Sequence, residues 1–305
     1  ATRLYDEARE FQKKAFEKVR QGAPLDLAPV ASLTDSMMTS LFRNQDALLC
    51  LTRMRTKDAY LLEHSINVSI LMMVFARALG LDEALIRQLA QGAFLHDIGK
   101  IRIPDKILNK PGRLTPEEYE IMKKHATYSA EVVSEIAGMA DVSKQVVARH
   151  HERVDGQGYP RGLSASELTM YDKMISIVDV YDAMTADRVY KEGMVPFKAL
   201  KLMRGMAGSH FDEPLLMKFI AVMGLHPVGT LVKLDSGKIG MVIKSNRLEP
   251  LKPVVKVFYN AKSKTHVAPY DLDLGDRYCQ DSIEKAIKPE DFRLDLLRFF
   301  KESML

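Results

Sequence analysis

The sequence predicts a mainly α-helical protein carrying a small antiparallel β-sheet near its C-terminus. Three observations support this. From Leu4 onward apolar residues recur at three- and four-residue steps. Capping residues and glycines punctuate that pattern up to about Leu225. After Gly224, short runs rich in β-branched residues and separated by turn residues take over.

Leu4, Ala8, Phe11, Ala15 and Val19 line one face of a first helix, which Gly22 and Pro24 interrupt. A second helix is expected from about Val30 to Leu51. A third covers Leu61–Leu79 and ends at Gly80, a natural left-handed cap, with Asp82 capping the next. Thr115-Pro116-Glu117-Glu118 joins an N-cap threonine, a first-turn proline and a capping-box glutamate, and starts a helix toward Ala137. Thr230–Leu234, Lys238–Lys244 and Val254–Tyr259 read as strands, the first two joined by an Asp235-Ser236-Gly237 turn. The sheet is expected over Pro227–Leu274, with a helical tail over Lys288–Lys301. The chain thus divides into an N-terminal helical region, residues 1–55, a central helical domain, 56–225, and a β-rich part with its tail, 226–305.

The 305 residues are 47% hydrophobic and 28% charged, ordinary for a globular chain. A net charge of +4 without any Lys/Arg run argues against a DNA-binding tail. Cys50 and Cys279 lie far apart and outside any CxxC spacing, which predicts reduced thiols and a cytoplasmic setting. No apolar run reaches the ~18–20 residues of a membrane span, and no signal peptide opens the chain. Ala1 stands where a methionine would open a gene product, which leaves room for an upstream domain.

The histidines carry the chemistry. Of eight, His96 lies in FLHDIGK, His125 in MKKHATYS, and His150 and His151 in ARHHERVDGQGYP. His64, in LLEHSINVS, joins them on chemical grounds. Asp97 follows His96, and Asp179 lies in SIVDVYDAMTADR. Successive candidates stand roughly 25 to 32 residues apart, about a helix and its return, a spacing that brings one ligand per helix to a common point in a bundle. Mixed imidazole and carboxylate donors suit iron, manganese, zinc or nickel better than magnesium or calcium. Seven donors are too many for one tetrahedral ion. An aspartate can bridge two ions ~3.5–4 Å apart, and such a pair supports phosphoester hydrolysis by a metal-bound hydroxide. Taken singly, a buried histidine is usually structural and an HD dipeptide is common; their joint occurrence on successive helices is what points to a site. His210, His226 and His266 have no such company and read as surface or core residues.

HDIGK, followed about 50 residues later by HHERVDGQGYP, resembles the HD-GYP family, a branch of the HD-domain phosphohydrolases. The His64 helix, HDIGK, MKKHA, HHE-DG-GYP and DVYDAMTADRVY occur in the family's order. The N-terminal helices and HPVGTLVKLDSGKIGMV are similar to the flanks of one subgroup, in which a small N-terminal domain precedes the helices. The resemblance implies an HD-type helical bundle and a phosphodiesterase that opens cyclic di-GMP to pGpG, with GMP as a further product. It implies two divalent ions, iron or manganese, held by His64, His96, Asp97, His125, His150, His151 and Asp179, with Asp97 bridging. Lys100 matches the lysine that meets a substrate phosphate, a task suited to a flexible ammonium. Arg188 and Lys191 match positions that bind phosphate or guanine. Glu152 and Asp182 resemble carboxylates that orient ligand imidazoles.

The segment Asp155–Pro160 holds two glycines and a proline and reads as a tight turn. Its Tyr159 either stacks on guanine or points its hydroxyl at a phosphate, or the loop only braces the site. The resemblance also implies, in a receptor or docking role, contact of the same loop with a diguanylate cyclase (GGDEF) partner. The N-terminal helices suit either a homodimer interface or the relay of a signal. One departure bears on the metal count. Some family members place a glutamate four residues before the first histidine, where it helps hold a third metal; here that residue is Tyr60. Glu63 points about 100° away around the helix, so two metals are expected. Two other functions stay open: hydrolysis of a different cyclic dinucleotide or nucleotide, and a non-catalytic receptor or docking module.

Overall fold

The computed structural model describes residues 2–53, 60–187, 192–246 and 248–292. Helices α1 (Thr2–Arg20), α2 (Leu27–Arg43) and α3 (Gln45–Leu51) form the N-terminal part. The predicted second helix is in fact two. Asn44 leaves helical geometry at φ −157° and ψ 91°, closes α2, and accepts a hydrogen bond from Ala47 N at the start of α3. A short amide side chain competing for backbone groups is the usual cause of such a break.

The bundle proper contains α4 (Tyr60–Ala78), α5 (Glu83–Leu95), a 3-10 turn (Ile98–Arg102), the single-turn α6 (Asp105–Leu108), α7 (Pro116–Ser134), α8 (Asp141–Arg149) and α9 (Met170–Thr185). Helices α10 (Pro196–Arg204) and α11 (Glu213–Met223) complete it. Helix α4 is its axis, packing against α5 and α9, while α5 packs on α8 and α8 on α7. Among the described residues its segment Leu61–Ala78 is long and apolar enough on average to cross a bilayer, although Glu63, His64 and Asn67 interrupt it and no continuous apolar run of that length occurs. That segment is 78% buried inside the protein, so its apolar surface serves the core. Gly80 adopts φ +74° just beyond α4, and Asp82 accepts from Leu85 N to open α5. The capping box predicted at Thr115 and Glu118 forms and starts α7, which ends at Ser134, three residues short of the expected Ala137.

A five-stranded antiparallel sheet follows, in the order β4-β3-β2-β1-β5. The strands are β1 (Leu231–Leu234), β2 (Lys238–Lys244), β3 (Val254–Asn260), β4 (Thr265–Asp273) and β5 (Ile283–Ala286). Gly237, at φ +88°, turns β1 into β2 as expected. The sheet runs past the predicted limit at Leu274, because β5 returns to pair with β1 on its outer side, Lys233 facing Lys285. Its apolar face joins the same hydrophobic core as the helices. Gly229 lies so close to α3 that a side chain there would meet Arg53 and the Cys50 backbone. Of the expected helical tail, Pro289–Phe292 is a 3-10 turn; residues 293–305 lie outside the described residues.

Candidate metal centre

Five backbone segments bring the seven predicted donors to one point. His64 sits in the second turn of α4, His125 in the middle of α7, and Asp179 in α9. His96 is the C-cap of α5, and His150 that of α8, with His151 next. Asp97 follows at φ −102° and ψ 7°, where the chain turns into the 3-10 segment. That segment must pass very close to α7. A Cβ on Gly99 would stand 2.3 Å from Ser129 N and 2.4 Å from His125 O, so only glycine fits. Gly99 N donates to Ser129 Oγ at 2.8 Å and fixes the crossing. The glycine of HDIGK thereby sets Asp97 against His125.

Local hydrogen bonds orient the rings. Nδ1 of His96, His125 and His150 each lies 2.7 Å from a carbonyl three residues back, on Ala93, Met122 and Val147. A nitrogen facing a carbonyl must carry the hydrogen, so Nε2 keeps its lone pair and turns inward. His64 Nδ1 donates to Asp182 Oδ2 at 2.8 Å, which likewise points Nε2 to the centre.

The donor atoms form two groups. His64, His96 and Asp179 make one; Asp97, His125, His150 and His151 make the other; within each, the atoms lie within 4.8 Å of one another. Asp97 faces both. Its Oδ2 stands 3.5 Å from His64 Nε2 and 3.4 Å from His96 Nε2, and its Oδ1 stands 3.3 Å from His125 Nε2. Asp179 places Oδ1 3.0 Å from His64 and Oδ2 3.6 Å from His151.

This donor set fits divalent metal on physical grounds. His125 Nε2 lies 3.3 Å from His150 Nε2 and 3.0 Å from His151 Nε2. With Nδ1 protonated on His125 and His150, the first contact sets two lone pairs face to face, an arrangement a shared cation relieves. Buried His96 Nε2 and Asp97 Oδ1 have no hydrogen-bond partner among the described residues, a costly state for polar atoms.

The electrostatics agree. Burial holds His125 down to about 4 and His151 to about 3, and it drives His150 well below the ordinary histidine value, with neighbouring imidazoles adding to the effect there. All three are therefore neutral, the state a metal ligand needs. Burial also disfavours charge on Asp97 and Asp179, yet the opposite holds. Lys100 and His96 keep Asp97 ionised, and the hydrogen bond from His64 does so for Asp179. For His64, burial is outweighed by Asp179 and Asp182, which lift its pKa to about 9. A divalent ion at the same carboxylates would take the place of that proton.

The remaining predicted residues fall into three cases. Lys100 reaches the centre, with Nζ 2.5 Å from Asp97 Oδ2, and is partly exposed at the rim. Tyr159 packs against the most exposed of the donors, its ring 4.6 Å from that of His151 and tilted by 33°. Asp182 lies one turn after Asp179 and meets His64 as described. Glu152 requires a correction. Its carboxylate meets no imidazole: Oε1 accepts from Arg161 N at 2.8 Å and Oε2 from Leu163 N at 2.9 Å. Being buried, it must satisfy both oxygens, and the amides of the loop after GYP are the donors within reach. Gly158 packs back on the same turn, where a Cβ would come within 2.6 Å of His151 O. Arg188 and Lys191 lie outside the described residues, as does the Tyr60 side chain. Glu63 turns away to Arg9, 3.6 Å distant on α1.

Sequence reasoning missed the neighbours of Tyr159. Tyr119 stands one helical turn and a half before His125, its ring 6.5 Å from that of Tyr159. Lys123 Nζ lies 5.5 Å and 5.8 Å from these two rings. The signal was an aromatic and a cation four residues apart on the helix that carries His125.

Fold and site define a class: a helical bundle with a buried cluster of histidines and aspartates at its centre. The chain belongs to the HD domain family, which matches residues 41–215. A second family, the KOW domain associated with HD domain, matches residues 231–294, the region of the sheet. A cyclic di-GMP phosphodiesterase of Pseudomonas aeruginosa is 39% identical over 260 residues, which is 85% of this chain and 63% of that protein. A 3'3'-cGAMP-specific phosphodiesterase of Vibrio cholerae is 35% identical over 171 residues, 56% of this chain and 37% of that one. The chain therefore spans less than two thirds of either relative. The structure of a HDG"Y"P protein from Bdellovibrio bacteriovorus shares the fold, with a TM-score of 0.58 at 18% identity over 71% of this chain and 69% of that chain.

Proposed function

We propose that this chain hydrolyses cyclic di-GMP at a binuclear metal site. The observation that carries the reading is Asp97, whose two oxygens face two separate groups of donors. His64, His96 and Asp179 would hold one ion, His125, His150 and His151 the other, with Asp97 shared. Tyr60, in place of a glutamate, favours two ions over three; the mixed donors suit iron, manganese, zinc or nickel, and the family resemblance narrows these to iron or manganese. When bound, such ions act as Lewis acids and lower the pKa of water to near neutrality.

The chain's own residues do the rest. Asp182 and the carbonyls of Ala93, Met122 and Val147 hold four rings with Nε2 turned inward, so the rings are already oriented for loading. Lys100 exchanges Asp97 for a phosphate oxygen of the substrate, and Arg188 and Lys191 supply further cations. Tyr159 shields the opening. Water's oxygen would bond to one phosphorus as the P–O3' bond breaks, the water's proton passing to the 3'-oxygen, so that the ring opens to pGpG; a second such cleavage would give GMP.

A second reading has its own support. The Vibrio cholerae relative is named for 3'3'-cGAMP, which differs from cyclic di-GMP in one base. The deciding experiment is turnover of both dinucleotides by protein loaded anaerobically with Fe(II) or Mn(II), with products separated by chromatography and metal counted per chain. Preference for 3'3'-cGAMP would establish the second reading. Absence of hydrolysis with every metal would overturn both and leave a binding module. A count of three ions per chain would refute the argument from Tyr60.

A further inference from the structure

We propose that Tyr119 and Lys123 form a base-recognition edge of this site, a platform for one purine of the cyclic dinucleotide; this rests on the hydrolase reading above. The geometry begins at the metal centre and runs outward. His151 is the only one of the seven donors with appreciable exposure, 24% of its side chain, so the opening lies on its side. Tyr159 leans on the His151 ring at 4.6 Å, and Tyr119 meets Tyr159 edge-on, centroids 6.5 Å apart at 84°. The aromatic surface therefore continues from the donors to the outside.

Tyr119 is 48% exposed, so its ring is open to a ligand from solvent. Lys123 sits between the two rings, 5.5 Å from one and 5.8 Å from the other, and is paired with Glu120 at 2.7 Å. An aromatic face with a cation beside it suits a base attached to a phosphate: the ring stacks on the base, and the ammonium meets the acceptors of the purine edge or a phosphate oxygen. Both residues are on α7, and Tyr119 precedes His125 by six residues, about 9 Å along the axis at 1.5 Å per residue. The base of a nucleotide whose phosphate sits at the centre can reach that far. Lys100 and the donors act on the phosphate, which every diester shares, so contacts of this kind, beside any from Tyr159, Arg188 and Lys191, are what tell one base from another.

The alternative is that Tyr119 only braces the loop at Tyr159. Kinetics with two substrates separates them. Cyclic di-GMP has bases; bis(p-nitrophenyl) phosphate is a diester without a purine. For Tyr119→Leu, KM for cyclic di-GMP should rise roughly tenfold with kcat within about twofold, as expected for loss of one stacking contact. The kcat/KM ratio of cyclic di-GMP over the simple diester should fall by a similar factor. Tyr119→Trp should restore the ratio, because it restores the face. Lys123→Gln should raise KM for the dinucleotide less, and Lys123→Arg should keep it low. Equilibrium dialysis of cyclic di-GMP against chelator-treated wild type and Tyr119→Leu gives a second readout, with weaker binding expected in the variant. Equal loss on both substrates together with a lowered Tm would show a brace and overturn the inference. So would an unchanged KM in a variant whose wild-type parent hydrolyses cyclic di-GMP. If the wild type itself turns over neither dinucleotide, the hydrolase reading fails, and the inference with it.

Discussion

The helical bundle and the C-terminal sheet bury very different interiors. Within the bundle, His64, His96, Asp97, His125, His150, Glu152, Asp172, Asp179 and Asp182 are all 5% exposed or less. Across the sheet the buried side chains are Leu231, Val232, Leu234, Ile239, Met241, Val242, Val255, Val257 and Phe258, with Thr230 the one buried polar residue among those described from 226 onward. Burying a charge is expensive unless partners compensate for it. A sheet that serves packing alone avoids that cost. Two bundle residues also serve structure: Asp172 closes a capping box with Thr169 and takes Gln145 and Arg149, and Glu152 pins the loop after GYP. The others point into one small volume and leave buried atoms unsatisfied, the mark of a region shaped for chemistry.

The sharpest way to break this comparison is Asp97→Ala. It removes the one carboxylate common to both donor groups and leaves Lys100 without its partner. Turnover should be lost and metal content, measured by plasma mass spectrometry, should fall. An active, metal-loaded variant would mean that the buried charge is structural. Lys100→Ala should have the next largest effect. Losing one positioned cation slows turnover by about 10²–10³-fold, with metal content near that of the wild type. Metal loss in this variant would refute a phosphate contact and make the lysine a support for Asp97.

Much of the bundle was readable because its signals are local. The capping box at Thr115, the Gly80 stop and the Gly237 hairpin each use a few adjacent residues, and all three form. The donors were readable as a set because helices return them at regular spacing. What escaped depends on tertiary partners. Nothing near Glu152 in sequence shows that its carboxylate turns to amides nine and eleven residues later. The closeness of Gly99 to α7 and the edge pairing of β5 with β1 are equally non-local. Asn44 is a local break that the strong apolar pattern on either side of it obscures. The sheet itself was legible from its β-branched runs, yet its packing against the helices was not, because one face of alternating residues does not name its partner.

Acid should expose the difference between the two interiors in chelator-treated protein. His125, at about 4, and His151, at about 3, are depressed by burial, and His150 is well below the ordinary value. In the unfolded chain each would titrate near 6.5. Above that pH both states are neutral and nothing is lost. As pH falls from about 6.5 toward 4, the unfolded state takes protons that the folded state refuses, so stability declines by up to about 1.4 kcal/mol per pH unit for each such histidine. His64 has the opposite sign: raised to about 9, it adds stability that is complete below its unfolded value and is lost as pH rises through 9. Urea midpoints should therefore drop between pH 6.5 and 4, and loading with metal should steepen the drop because protons compete for the same nitrogens. A flat profile would show that the rings are not buried as neutral donors.

The smallest effect belongs to the sheet, and it tests the other half of the comparison. Val257 is fully buried on β3, flanked by Gly240 of β2 and Tyr270 of β4. Val257→Ala deletes two methyl groups from a close-packed interior and should cost about 2 kcal/mol, transfer and cavity together. No polar atom changes partner and no donor to the centre is touched. Thermal or urea unfolding should shift accordingly, while kcat and KM per folded molecule stay at the wild-type values. If kcat falls in a sample that is still fully folded, the sheet does more than pack. Its contact with α3, where Gly229 lies against Cys50 and Arg53, would then be the first place to look for coupling, since α3 packs directly on α4, the helix that carries His64.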